Sequence, residues 1–140
     1  MIQPVVFLFV DDEERILSAL GRWLKSHAER ILPVCVTSAD HALEVLATQR
    51  IDVVVTDYRM PGLDGLAFLR RLKCEHPTIV RLVISANIDG HARSEISEIG
   101  VAHVVEKPWH GSELMDLLED VARAVNADRD RGRDPGDGPA

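Results

Sequence analysis

Cysteine is scarce in this chain: two residues in 140, Cys35 and Cys74, far apart and with no Cys-x-x-Cys pair. That argues against a disulfide framework and for a reduced compartment. The six histidines are scattered, none at zinc-ligand spacing with a second ligand, so they read as surface or core residues and no zinc site is expected. Basic charge is short as well. Lys and Arg number 16 against 23 Asp and Glu, a formal net charge of −7, which argues against the basic footprint of broad nucleic-acid binding. No apolar run approaches the ~20 residues of a membrane span. The first run, Pro4 to Val10, is too short for a signal-sequence core and has no basic leader. No glycine-rich loop follows it, which discounts a dinucleotide-binding fold. A cytoplasmic protein with neither nucleic acid nor a membrane as partner is the expectation.

What is present is a regular alternation. Apolar residues make up 46% of the chain, enough for one globular core, and 140 residues suit one domain. Five short runs rich in Val and Ile stand at 5–10, 31–36, 51–56, 78–84 and 101–105. Most lack polar alternation, as strands buried on both faces do in a parallel sheet. Amphipathic stretches lie between them. Ile16, Leu17, Leu20 and Leu24 form one stripe within 12–28; Ala39, Ala42, Leu43 and Leu46 form another within 37–47, where Thr37 and Asp40 resemble a capping box. Leu66, Leu69 and Leu72 mark a third over 64–73, and Ile88, Ala92, Ile96 and Ile99 a fourth over 88–98, with Gly90 weakening it. The fifth carries Leu114, Leu117, Leu118, Val121 and Val125 behind Ser112 as N-cap.

A βα unit repeated five times predicts an α/β fold, a doubly wound, five-stranded parallel sheet with five helices; five strands favour the flavodoxin-like order 2-1-3-4-5, which the alternation alone does not fix. The domain is expected over residues 1–125. Residues 126–140 have no large apolar side chain after Val125, mixed charge and frequent Gly and Pro, so they read as a disordered tail.

Ligands of such sheets bind beyond the carboxyl ends of the strands, where the strand order reverses. The residues at those ends are Asp11 and Asp12 after strand one, Asp57 after strand three, Ser85 after strand four, and Lys107-Pro108 after strand five. Carboxylates about 4 Å apart repel by roughly 4 kcal/mol at an effective dielectric near 20, so the three acids call for a cation. Hard oxygen donors without Cys or His suit Mg²⁺. A lysine alongside is a point charge for a phosphate oxygen, and a carboxylate can itself attack phosphorus. Each residue has a plainer reading too: Asp12 as a helix N-cap, Asp57 as the start of the turn at Met60-Pro61-Gly62, Lys107 as a solvated lysine, Ser85 bonding backbone. The joint placement of all four favours a site.

The segments "FVDDEERIL", "VVVTDYRMPGLDGLAFLRRLK", "LVISA" and "VVEKPW" resemble, in order and spacing, the motifs of response-regulator receiver domains over about residues 5–125. The resemblance implies a phosphoacceptor: Asp57 takes a phosphoryl group from the phosphohistidine of a sensor histidine kinase or phosphotransfer protein. It implies that Asp12 binds Mg²⁺ directly, Asp11 largely through water, and the Arg59 backbone carbonyl supplies a further ligand. Ser85 becomes the switch hydroxyl, Lys107 contacts the phosphoryl group, and Pro108 follows a cis peptide bond. Arg59 and Asn87 take the positions that flank the attacking water and tune phosphoryl lifetime. The signal leaves through phosphorylation-dependent binding of a partner protein, and copies pair as a homodimer through the face of helix four, strand five and helix five.

One departure from the family pattern is Val104, where receivers usually carry Tyr or Phe, so the usual inward swing of an aromatic ring cannot operate in that form. The chain shows no output module, so DNA binding or cyclic-nucleotide chemistry is not expected of it. Two other functions compete. A degenerate receiver would act as a non-phosphorylated adaptor or dimerisation module, which Val104 favours and the intact acids, Ser85 and Lys107 oppose. An aspartate-nucleophile phosphatase would need a second acid two residues after Asp57, where Arg59 stands.

Overall fold

The computed structural model describes residues 3–27, 30–60, 65–86, 88–109 and 111–132. Within them the elements alternate as β1 (Val5–Val10), α1 (Glu14–Leu24), β2 (Ile31–Val36), α2 (Ala39–Thr48), β3 (Val53–Thr56), α3 (Gly65–Glu75), β4 (Val80–Ser85), α4 (Gly90–Ile99), β5 (His103–Glu106) and α5 (Gly111–Asp130). The strands form one parallel sheet, as the alternation predicts, in the favoured order β2-β1-β3-β4-β5.

Strand residues divide by parity between two cores. Leu8, Val10, Val54 and Val83 face the side covered by Ala42 and Leu46 of α2, Phe68 and Leu72 of α3, and Ile96 of α4. Phe7, Phe9, Val53, Val55, Leu82 and Ile84 face Leu20 and Leu24 of α1 and Leu114, Leu118 and Val125 of α5. All four residues of β3 are buried, because strands and helices cover it on every side. The edge strands differ from the uniform burial read from their apolar runs. In β2, Leu32 is exposed and Pro33 half-buried; in β5 no residue is fully buried.

Several helix ends shift from their predicted places. The first helix gives way after Leu24 to a 3₁₀ turn at Lys25–His27. The cap of α2 is Ser38 rather than Thr37: its Oγ accepts from the His41 N–H at 3.1 Å. Ile88 precedes α4, whose N-cap is Asp89, accepting from Ala92 N–H at 2.8 Å. Gly90 thus falls on the first helical residue, where its cost is small. Ser112 lies inside α5, which begins at Gly111, so it is not the cap. At its far end α5 runs through Asp130, five residues past the expected boundary at Val125. The extra turn is held by Arg129, whose Nη2 lies 2.6 Å from Asp52 Oδ1, an ion pair across 77 residues of sequence that no local pattern announces. The expected tail beyond residue 132 lies outside the described residues.

No helix among the described residues is long and apolar enough to cross a membrane.

Candidate functional site at the carboxyl ends of the strands

Sheet register builds the site. Val10 of β1 pairs with Thr56 of β3, so the residues that leave those strands next, Asp11 and Asp57, emerge side by side. Backbone bonds continue past the strand ends: Asp57 N–H donates to Val10 O at 2.9 Å, and Asp11 N–H to Val36 O at 3.2 Å. Ser85 pairs with Glu106, and Lys107 N–H donates to Ser85 O at 2.9 Å, which brings the lysine to the same rim. The Lys107-Pro108 peptide bond is cis.

Asp57 is 6% exposed, and both of its oxygens are held. Oδ1 accepts from Ser85 Oγ at 2.7 Å and from the Arg59 N–H at 3.1 Å. Oδ2 accepts from Lys107 Nζ at 2.9 Å. Asp11, equally buried, accepts from the Glu13 N–H at 2.9 Å on Oδ1 and from Lys107 Nζ at 2.7 Å on Oδ2. Asp12 is exposed at the lip. The Arg59 side chain is also exposed, its guanidinium 5.8 Å from the centre of the Tyr58 ring.

Electrostatics follow from this crowding. Burial raises the Asp11 pKa above the usual carboxylate value, and the Lys107 and Glu13 hydrogen bonds offset that only in part. For Lys107, burial pulls the pKa down, but the hydrogen bonds and charges of Asp11 and Asp57 more than reverse it, and the net shift is upward. The ammonium is therefore charged throughout the physiological range.

Asp11, Asp12 and Asp57 each offer a carboxylate oxygen, and these lie within 4.8 Å of one another. An all-oxygen donor set with one exposed and two buried members fits a hard divalent cation that retains waters. Lys107 already bridges two of the three acids, which is what a cluster with surplus negative charge demands.

Of the other predicted residues, Val104 is half-buried and packs against the core that holds α4, and Pro108 is exposed beside the site. Asn87 and the Pro61-Gly62 turn lie outside the described residues. Trp109 packs on the other core, beside rather than within the cluster.

Sequence reasoning passed over two contributors. A Cβ on Gly65 would stand 2.3 Å from the Asp57 carbonyl oxygen and 2.6 Å from Tyr58 Cα, so only glycine lets α3 start against the acceptor loop. The Gly65 N–H donates to Tyr58 O at 3.1 Å and fixes that approach. Glycine in "DG" reads from sequence as turn chemistry, which hides a packing role. Glu13, third in the acid run, reaches Lys107 Nζ at 3.1 Å.

The sequence matches the family described as the response regulator receiver domain over residues 7–119. The hydrogenase transcriptional regulatory protein HoxA of Cupriavidus necator is 36% identical over 127 residues, covering 90% of this chain and 26% of HoxA. The DNA-binding transcriptional regulator NtrC of Escherichia coli K12 is 34% identical over 120 residues, covering 84% of this chain and 25% of NtrC. This chain spans about a quarter of the length of these relatives. The signal receiver domain of an HD domain-containing protein from Pseudomonas fluorescens Pf-5 superposes with a TM-score of 0.82 at 25% identity, covering 94% of this chain and 96% of that one. A response regulator receiver protein from Pseudomonas putida gives 0.79 at 27% identity, covering 86% and 99%. The order of the strands, the residues at their carboxyl ends and these likenesses place the chain in the response regulator receiver family of two-component signalling.

Proposed function

We propose that this domain is a phosphoacceptor: Asp57 takes a phosphoryl group from the phosphohistidine of a sensor kinase or phosphotransfer protein. The observation that carries the reading is the convergence on one carboxylate of a buried hydroxyl, an ammonium and two further acids. One Asp57 oxygen attacks phosphorus, the P–N bond breaks, and the imidazole leaves with its electron pair, so an acyl phosphate forms. Asp11, Asp12, Asp57 and the Arg59 backbone carbonyl are the groups that would hold Mg²⁺, which when bound supplies charge neutralisation for the transferring oxygens. Lys107 moves its hydrogen bonds from carboxylate to phosphoryl oxygen. Ser85 Oγ, now donating to Asp57, turns to the new group and carries the change outward. Arg59 and Asn87 set how readily water reaches the acyl phosphate.

With Val104 in the aromatic's place, the response reaches α4 through a smaller displacement, and the partner binds on the α4–β5–α5 face, through which two copies also pair. HoxA and NtrC are transcriptional regulators by name; an output of that kind suits this receiver, while the receiver itself, with its acidic balance, contacts protein rather than nucleic acid.

Intact mass after incubation with acetyl phosphate, with and without Mg²⁺, tests the reading on wild type and Asp57→Ala. One Mg²⁺-dependent phosphoryl adduct, lost in Asp57→Ala, is expected. No adduct with acetyl phosphate or with a phosphorylated kinase would favour the adaptor function instead.

A further inference from the structure

A lysine ammonium has three N–H donors, and in Lys107 each faces a carboxylate: Asp11 at 2.7 Å, Asp57 at 2.9 Å and Glu13 at 3.1 Å. The three partners are not alike. The Asp11 and Asp57 side chains are 8% and 7% exposed, whereas that of Glu13 is 57% exposed. Two contacts therefore belong to the buried cluster and the third to its rim.

Glu13 also breaks a local rule. It is the N-cap of α1, the position where a side-chain oxygen ordinarily accepts from the first turn, yet it makes no side-chain capping bond. Its carboxylate turns to Lys107 instead. The Glu13 N–H is itself held by Asp11 Oδ1 at 2.9 Å, which fixes the residue against the site. On the outer side of the lysine lies an open hollow of about 460 Å³ lined by Glu13, Ile16, Ala86, Lys107, Pro108 and Trp109. Among the described residues of that lining, Glu13 and Lys107 are the charged ones.

We propose that Glu13 is a positioning residue for phosphoryl transfer: it tethers Lys107 toward the rim and places a negative charge where the donor arrives, so it slows transfer from small anionic donors. The inference rests on Asp57 being the acceptor. Once Asp57 carries the phosphoryl group, the ammonium must turn to a phosphoryl oxygen. Asp57 hands over its own contact in place, and Glu13 is the exposed partner still competing for the lysine. Its charge acts in the same direction, since a doubly charged donor meets more repulsion than a singly charged one. A protein donor that brings its own positive side chains to the rim escapes the penalty, so the domain favours its kinase over free metabolite phosphates.

The test is Glu13→Gln, which keeps the size and exposure of the side chain. Adduct formation by intact mass is followed with acetyl phosphate, a dianion near neutral pH, and with phosphoramidate, which carries one negative charge less. The balance is the same for both: an Asp57 oxygen bonds to phosphorus, and acetate or ammonia departs with the electron pair of the broken bond. At saturating Mg²⁺ and low salt, the variant should react about fivefold faster with acetyl phosphate and about twofold faster with phosphoramidate, with both gains shrinking as ionic strength rises. A second readout needs neither donor nor metal. Nitrogen-detected NMR of the Lys107 ammonium should show faster proton exchange with water in Glu13→Gln, because one of three carboxylate acceptors becomes a neutral amide oxygen, which holds the ammonium more weakly. An unchanged or slower acetyl phosphate rate, equal gains for the two donors, or unaltered ammonium exchange would overturn the role of Glu13. A wild type that forms no adduct with either donor would instead overturn the acceptor reading beneath it.

Discussion

Strand β3 has an aspartate before it and another after it, Asp52 and Asp57, each 6% exposed. Their surroundings are opposite. Asp52 accepts from the Val6 N–H at 2.9 Å and lies beside two arginines, Arg129 at 2.6 Å and Arg50 at 3.4 Å. Cations outnumber the acid, and the carboxylate is closed in. Asp57 shares the Lys107 ammonium with Asp11 and Glu13, and Asp12 brings a third carboxylate to the Asp11–Asp57 cluster. At one end of the strand the acid is matched by cations; at the other carboxylates outnumber the ammonium, a setting that suits a further cation. Burial alone thus does not tell the two carboxylates apart; the sign of the neighbourhood does.

The sharpest way to break the comparison is to neutralise each acid. Asp57→Asn should abolish the phosphoryl adduct in intact mass, yet change the urea unfolding free energy by only about 1 kcal/mol, since the lost lysine contact and the relieved repulsion from Asp11 oppose one another. Asp52→Ala should do the reverse. It leaves the Val6 N–H unpaired and takes the carboxylate away from Arg129, whose Nε has no partner among the described residues. A loss of about 3 kcal/mol by urea denaturation is expected, with adduct formation intact. Equal effects of the two variants on chemistry would dissolve the distinction.

A change between the two ends should be intermediate. Gly65→Ala drives a methyl group into the Asp57 carbonyl and should cost about 2 kcal/mol, while also slowing adduct formation because the acceptor loop must shift.

The smallest effect is one of pH. Asp11 has its pKa raised by burial above the ordinary 3.8, so between those two values the folded state holds a proton that the unfolded chain has released. Wild type should therefore gain stability relative to Asp11→Asn as pH falls through that window, and lose it as pH rises. Thermal melts of the pair at stepped pH values measure it; a constant difference would contradict the shift.

Much of this was legible in sequence, for a physical reason. A buried parallel strand must be apolar throughout, so the first polar residue after each run marks where the chain leaves the sheet. Asp11 and Asp57 stand at that point, Ser85 follows its run directly, and Lys107 comes one residue later, after Glu106 and before Pro108. Asp52 escaped notice because it interrupts the start of such a run, and its partner Arg129 is remote in sequence. The same pair explains why the end of α5 was placed too early: polar text after Val125 reads as solvent-loving until one of its arginines finds a buried acid. Thr37 fits the capping-box spacing with Asp40 and Ser38 does not, yet Ser38 is the cap because its hydroxyl is the one that meets the His41 N–H. Glu13 looked like ordinary first-turn acidity.

The unprotected margin of the sheet at β2 has a consequence of its own. An outer strand with open donors and acceptors invites another chain to add to it, which is how sheets grow into aggregates. Pro33, in the middle of β2, has no N–H to offer, and an edge is where a sheet tolerates proline. With Leu32 beside it exposed, that missing donor matters: it interrupts the hydrogen-bonding row next to the stickiest point of the margin. Replacing Pro33 with valine would complete the row and should make the protein prone to intermolecular association at high concentration while leaving the acid rim untouched.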